Sequence, residues 1–200
     1  MSPRPDVSET RKEQIIQSAI DVFTRLGFHD ASMDDIVKES GLSKGALYWY
    51  FKSKEDLIIA ILDRIFGAEF EQIEVLNDTN VAASTCLLNF MEFFIADIHR
   101  VQRLMPIVHE FYALAFRNKL VRAVMQRYLL TFVSRIEPIV RRGMETGEFV
   151  EGDAQQISLA LAAQIEGTML LGAYAPNLLS LDDQLRAGTR LLLQSLKTVQ

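Results

Sequence analysis

The chain is 200 residues long, 49% hydrophobic and 24% charged, an ordinary globular composition with room for one or two packed domains. Its formal net charge of -5 argues against coating nucleic acid through bulk positive charge. A single cysteine, Cys86, excludes an intrachain disulfide framework and any multi-cysteine metal site, which fits a reducing compartment; no metal or cofactor is expected.

The N-terminal MSPRPDVS lacks the apolar segment of a secretory signal, and its first residues are expected to be disordered. Thr10 with Glu13 forms a candidate capping box, behind which Ile16, Ala19, Phe23 and Leu26 line one helix face until Gly27. Ser32 is placed to cap a short helix over 33–40, whose first turn carries Asp34 and Asp35 where the helix dipole favours negative charge. Gly41 ends it, and Ser43 is placed to cap a third helix through Phe51. Ser53 with Asp56 opens a fourth, long and apolar, running toward Leu76.

A loop over 77–80 is expected next, followed by helices over about 82–101, 103–117 and 120–145. Pro106 suits a first turn, whereas Pro138 is expected to kink or split its helix. Gly143, Gly147 and Gly152 mark a loop, after which helices over 153–175 and 181–196 complete an all-α chain. No sustained period-two alternation is present. Gln164 and Glu166 interrupt the apolar stretch from Ile157 well before the roughly 20 residues of a membrane span, so a cytoplasmic chain with no membrane partner is expected.

Two short helices across a glycine turn have the dimensions of a helix-turn-helix unit, and local charge marks the same place. Residues 40–54, SGLSKGALYWYFKSK, hold Lys44, Lys52 and Lys54 and no acid, a +3 window within a chain of -5. With Ser43, Tyr48, Trp49 and Tyr50 they concentrate phosphate donors on one short element. Composition alone also admits a plain reading, in which lysines cap helix ends and aromatics fill a small three-helix core.

GLSKGALYWYFKSKEDL, preceded by ASMDDIVKES and by a first helix ending FTRLGF, resembles the tetracycline-repressor (TetR) family of bacterial transcription regulators over about residues 11–58. The resemblance implies a helix-turn-helix DNA-binding domain over 1–56 and a helical ligand-binding and dimerisation domain over 57–200. It implies that residues 43–51 form the recognition helix, with Lys44, Gly45 and Ala46 at base edges and Tyr48, Trp49 and Tyr50 forming the family's aromatic triplet. Lys54 matches a phosphate-contacting lysine, and Ser32 a hydroxyl residue whose helix N-terminus faces the DNA backbone. The implied partners are double-stranded operator DNA, an unknown small-molecule effector and a second copy of the chain.

Eight of the twelve phenylalanines fall between residues 66 and 132, accompanied by methionines and tyrosines. Such residues at helical spacing are usually core, yet pockets are also lined by aromatics and methionine with a few orienting polar groups. Candidate effector-lining residues are Phe66, Phe70, Phe90, Phe94, Met105, His109, Tyr112, Phe116, Tyr128, Gln164 and Glu166. These point to a small, largely apolar effector. Glu166 fits a subunit contact equally well, and Ala160, Ala162, Ala163, Gly167 and Gly172 permit close helix approach, which an internal bundle would also use; the resemblance implies instead that the last two helices pair with their copies in a four-helix homodimer interface.

The rival classes are thin. No HExxH, G-x-S-x-G, P-loop or G-x-G-x-x-G appears, and His29, His99 and His109 lack metal-ligand spacing, so no enzymatic role is expected. A helical adaptor that no longer binds DNA conflicts with the intact lysines and tyrosines. A TetR-like DNA-binding protein with no small-molecule switch is the closest alternative.

Overall fold

Residues 7–76 and 78–197 are described by a computed structural model, apart from the side chains of residues 7, 68–72, 74–76 and 99–101. The expectations placed on the first residues, Phe70 and His99 therefore lie outside the described side chains. Among the described residues the chain is helical, and its only extended pairing is an isolated bridge between Phe149 and Lys197.

Helix α1 (Val7–Asp30) begins before the Thr10–Glu13 pair, which therefore lies inside the helix and does not cap it. Gly27 interrupts it as the sequence implies: at φ 76° and ψ 158° it leaves the helical region, and one further turn follows, closed by the Ala31 N–H donating to the Gly27 carbonyl at 3.2 Å. Helix α2 (Met33–Ser40) is capped by Ser32, whose hydroxyl accepts from Asp35 N at 3.2 Å while the Asp35 carboxylate accepts from Ser32 N at 3.0 Å. Gly41, at φ 65°, supplies the left-handed stop. Helix α3 (Lys44–Tyr50) is capped by Ser43 and ended by Phe51 in extended geometry, and α4 (Lys54–Leu76) opens with Asp56 N donating to Ser53 Oγ at 3.2 Å.

Packing divides the chain into two units, Met1–Ile65 with Pro106–Met125 and Phe66–Met105 with Gln126–Gln200. In the first, Ile15, Ala19, Val22 and Phe23 of α1, Ile36 of α2, Leu47 of α3 and Leu57, Ile58 and Ile61 of α4 are buried, as are Ile107, Val108 and Phe111. Fully burying one such side chain contributes roughly 1.5–3 kcal/mol, which is what holds helices as short as α2 and α3 in register.

The middle of the chain departs from expectation. Helix α5 (Ala83–Ala96) stops at Asp97 and α6 (Ile98–Ala115) starts directly after it, so the break falls five residues earlier than the pattern implies. Asp97 turns tightly, donating its N–H to the Phe94 and Ile95 carbonyls. Pro106 accordingly lies within α6 rather than in a first turn, and α7 (Lys119–Glu145) runs through Pro138 without splitting. Both prolines are exposed, so the carbonyl each leaves without a helical donor remains accessible to water. Gly143 belongs to α7 and not to the following loop; the Phe149 ring fills the space a Cβ there would take, which is why the position needs glycine.

Helix α8 (Ala154–Tyr174) is capped by Asp153, and α9 (Leu181–Leu196) by Ser180. The two pack closely: a Cβ at Gly172 would collide with Leu181, and one at Gly188 with Gln164. A fork from Arg186 to Glu92, with contacts from 2.8 Å, ties α9 to α5. Among the described residues, α8 is long and apolar enough to cross a membrane by length and composition, although its sequence contains Gln164 and Glu166.

Candidate DNA-binding and effector sites

Helix α3 is amphipathic at helical spacing. Leu47 is fully buried and Phe51 nearly so, while Ser43, Lys44, Gly45 and Trp49 are exposed on the other side, with Ala46, Tyr48 and Tyr50 half-buried. Trp49 is 69% exposed, a large ring that the core does not claim, and stacks edge-on against Tyr50 at 4.6 Å. No Cβ contact limits Gly45, so a flat surface can approach the first turn.

The polar groups around α3 are less free than their composition suggests. Lys44 Nζ lies 2.7 Å from Asp34 Oδ1 on α2 and 5.9 Å from the centre of the Tyr48 ring. The Asp34 carboxylate holds the Lys44 ammonium above its ordinary pKa, so Lys44 stays cationic at any physiological pH. Lys52 Nζ donates to the Tyr48 carbonyl, and Tyr50 Oη to Ser8 Oγ at 3.3 Å. Ser32 is engaged in its own cap, where its bonds hold the Asp35 carboxyl below its usual pKa.

Lys54 has a different setting from the one the resemblance implies. Its ammonium donates to the Phe28 and Ala31 carbonyls, each at 2.7 Å, and to the His29 carbonyl at 3.2 Å, and lies over the Phe28 ring. Three donated bonds use all three ammonium protons, so Lys54 here satisfies the orphan carbonyls that end α1.

The proposed effector-lining residues are divided between the two units. In the second, the rings of Phe66 and Tyr128 meet at 4.9 Å, Phe90 lies 5.9 Å from Phe132, and Phe94 and Met105 are buried. Gln164 lies at the α8–α9 seam, its Nε2 within 3.4 Å of Thr168 Oγ1 and 3.5 Å of the Gln184 carbonyl, and its Oε1 buried without a partner. Glu166 is exposed on α8. An apolar crevice of this unit is lined by Leu87, Ile136, Val140, Ile157, Leu161, Thr189, Leu192, Leu193 and Leu196, none of which the sequence singled out for this role.

In the first unit, His109 and Tyr112 are half-buried with rings 6.4 Å apart. His109 Nε2 is buried without a hydrogen-bond partner, and burial pushes its imidazole pKa down. Phe116 does not line an interior: it is 82% exposed. Helix α6 ends at Ala115, and the Arg122 guanidinium fixes the Ala115 and Phe116 carbonyls at 2.9 and 2.7 Å, which takes the ring off the apolar stripe of the helix. Glu110, exposed at its tip, accepts from the Phe28 N–H at 2.6 Å beside Gly27.

Residues 15–61 match the bacterial regulatory proteins of the tetR family, and residues 86–197, more than half the chain, match the C-terminal region of BetI-type transcriptional repressors. The chain belongs to the TetR family. It is an all-α helix-turn-helix transcription regulator of that family, whose members bind DNA and are not enzymes. The uncharacterized HTH-type transcriptional regulator YfiR of Bacillus subtilis is 28% identical over 153 residues, 74% of each chain. SmeT, the repressor of the Stenotrophomonas maltophilia multidrug efflux pump SmeDEF, shares the fold at a TM-score of 0.80 and 20% identity, over 94% of this chain and 90% of that one; it has also been solved as a triclosan complex. FadR from Bacillus subtilis in complex with stearoyl-CoA shares it at 0.75 and 22%, over 92% and 99%. The TetR resemblance was legible from about residues 11–58. The Asp34 partner of Lys44 was not, because no spacing rule joins an acid on one helix to a lysine on the next.

Proposed function

We propose that this TetR-family regulator is a homodimeric repressor that reads a pseudo-palindromic operator with α3 and leaves it when a small, largely apolar effector binds within residues 57–200. Residues 1–56 form the reading head. The observation that carries the reading is the outward face of α3: Ser43, Lys44, Gly45 and Trp49 exposed over a fully buried Leu47. Lys44, Gly45 and Ala46 lie in the first turn, where recognition helices meet base edges, and the half-buried Ala46 methyl suits a thymine methyl. Tyr48, Trp49 and Tyr50 lie along the same helix to reach phosphates; Ser32 presents the N-terminus of α2, and Lys54 steadies the reading head from behind.

Dimerisation is supported by the exposed apolar faces of α8 and α9. Leu159, Leu170 and Tyr174 recur at helical spacing on α8, and Leu191 stands out on α9. Pairing both helices with their copies about a two-fold axis buries these faces and spaces two α3 helices for two half-sites. The same arrangement gives the apolar surface of α8 a protein partner.

An effector switch is supported by the printed ligands of two fold relatives, triclosan for SmeT and stearoyl-CoA for FadR, both largely apolar. In this chain Phe66, Phe90, Phe94, Met105 and Tyr128, all of the second unit, provide apolar walls. Helix α4 contributes residues to both units, so it is the element through which an effector shift would have to be passed on. The effector must bind the released state more tightly, and coupling of about 1–3 kcal/mol is typical.

The test joins two readouts on the native dimer. Hydrophobic compounds are screened for a rise in melting temperature, and those that raise it are added to a fluorescein-labelled duplex selected by the chain. Release of the duplex at ligand concentrations that stabilise the protein is expected. A ligand that stabilises the protein and leaves duplex affinity unchanged would instead support a DNA-binding protein without a switch.

A further inference from the structure

Several cations of the first unit are engaged within the protein. Arg25 pairs with Glu39 at 2.7 Å, Arg64 approaches Glu13 at 3.6 Å, Lys54 is spent on backbone carbonyls, and Lys52 reaches the Tyr48 carbonyl. Lys44 is the cation of α3 itself, and it too has a partner: Asp34, at 2.7 Å. Asp35, the adjacent acid, is occupied by the Ser32 cap, so the two carboxylates at the start of α2 have separate tasks. Both Lys44 and Asp34 are more than half exposed, so the pair faces the same solvent that a duplex would displace.

We propose that Asp34 is a specificity-determining residue: its carboxylate competes with DNA phosphate for Lys44 and directs that ammonium across the start of α3. This rests on the reading of α3 as the DNA-contacting helix. A phosphate meeting Lys44 at random must displace Asp34 and approach its negative charge, which selectively weakens contacts made through charge alone. Contacts at the operator add base edges that reward a directed Lys44, with Tyr48 on its other flank. A chain of -5 whose first 60 residues hold eight Lys plus Arg and ten Asp plus Glu already disfavours loose binding, and Asp34 applies the same effect at the residue that matters most.

The test measures affinity for a selected operator duplex and for a scrambled duplex of equal length, across a salt series, for the native dimer and for Asp34→Asn, Asp34→Glu, Lys44→Ala and the Asp34→Asn/Lys44→Ala double variant. Asp34→Asn is expected to tighten binding to the scrambled duplex about threefold or more and to steepen the salt dependence by about 0.9 per subunit as Lys44 becomes available to phosphate. Operator affinity is expected to change less, so the operator-to-scrambled ratio falls, and Asp34→Glu restores it. Because Asp34→Asn also removes a negative charge, its effect must shrink in the Lys44→Ala background. Melting temperatures serve as the folding control, and an exposed pair is not expected to move them by much. An equal effect of Asp34→Asn in both backgrounds, or an unchanged ratio while Lys44→Ala weakens binding, overturns the role of Asp34. Lys44→Ala without effect on either duplex overturns the reading of α3 itself.

Discussion

Single residues in this protein carry charge that local chemistry redirects. Lys44 and Lys54 share one +3 window, yet one lies on the exposed first turn of α3 and the other closes the C-terminal end of α1. Their effects on variants should differ accordingly. Lys44→Ala is expected to weaken operator binding at least severalfold with little change in melting temperature, as removal of one phosphate or base contact implies, read by duplex titration and thermal unfolding. Lys54→Ala is expected to lower the melting temperature, because three carbonyls lose a charged donor. His109 gives a pH test. Burial lowers its pKa, so as the pH falls the unfolded chain takes up the proton first. The stability linked to neutral His109 is intact above about 6.5, the ordinary histidine value, and is lost as the pH drops toward the lowered folded value. The stability difference between the native chain and His109→Gln should therefore shrink between pH 7.5 and 5; a constant difference would show that His109 is not desolvated.

At the scale of elements, what the sequence announced were the starts and stops with a side-chain mechanism. Ser32, Gly41 and Ser43 are the caps they were read to be, since a hydroxyl or a left-handed glycine leaves a local signature. The α5–α6 break at Asp97 was hidden because apolar spacing continues through it, and Pro106 drew the expected helix start downstream. Gly143 was misplaced for a related reason: its environment is Phe149, a tertiary neighbour that no local pattern contains. Caps also set expectations for variants. Ser43→Ala should cost about 1 kcal/mol in chemical unfolding and weaken operator binding by loosening the first turn of α3. Leu191→Asp on the exposed face of α9 should shift the chain from dimer to monomer in analytical ultracentrifugation, and a variant that remains fully dimeric would remove α9 from the interface.

Across the whole molecule, the family was legible because its motifs are encoded in one contiguous stretch, about residues 11–58. Which residues line an effector site was not legible. Aromatic and methionine residues at helical spacing look alike whether they fill a core or line a pocket. Phe116, which shares that spacing, is instead exposed at the end of α6, and the apolar crevice lined by Leu161 and Leu192 draws on positions not proposed as effector-lining. If the chain acts as the proposed dimer, the net charge of -5 acquires a purpose at this scale: an acidic molecule with two copies of a few well-placed groups would hold DNA weakly where sequence is wrong and firmly where both copies fit. The most direct measurement is sequencing of the duplexes that the native dimer, and Lys44→Ala in parallel, retain from a randomised library. The native chain is predicted to enrich an inverted repeat with half-sites about one helical turn, or a multiple of it, apart, and Lys44→Ala to lose or alter that enrichment. Retention of no common sequence, of a single unrepeated site, or of the same repeat by both proteins would contradict the reading of α3 in a two-fold dimer.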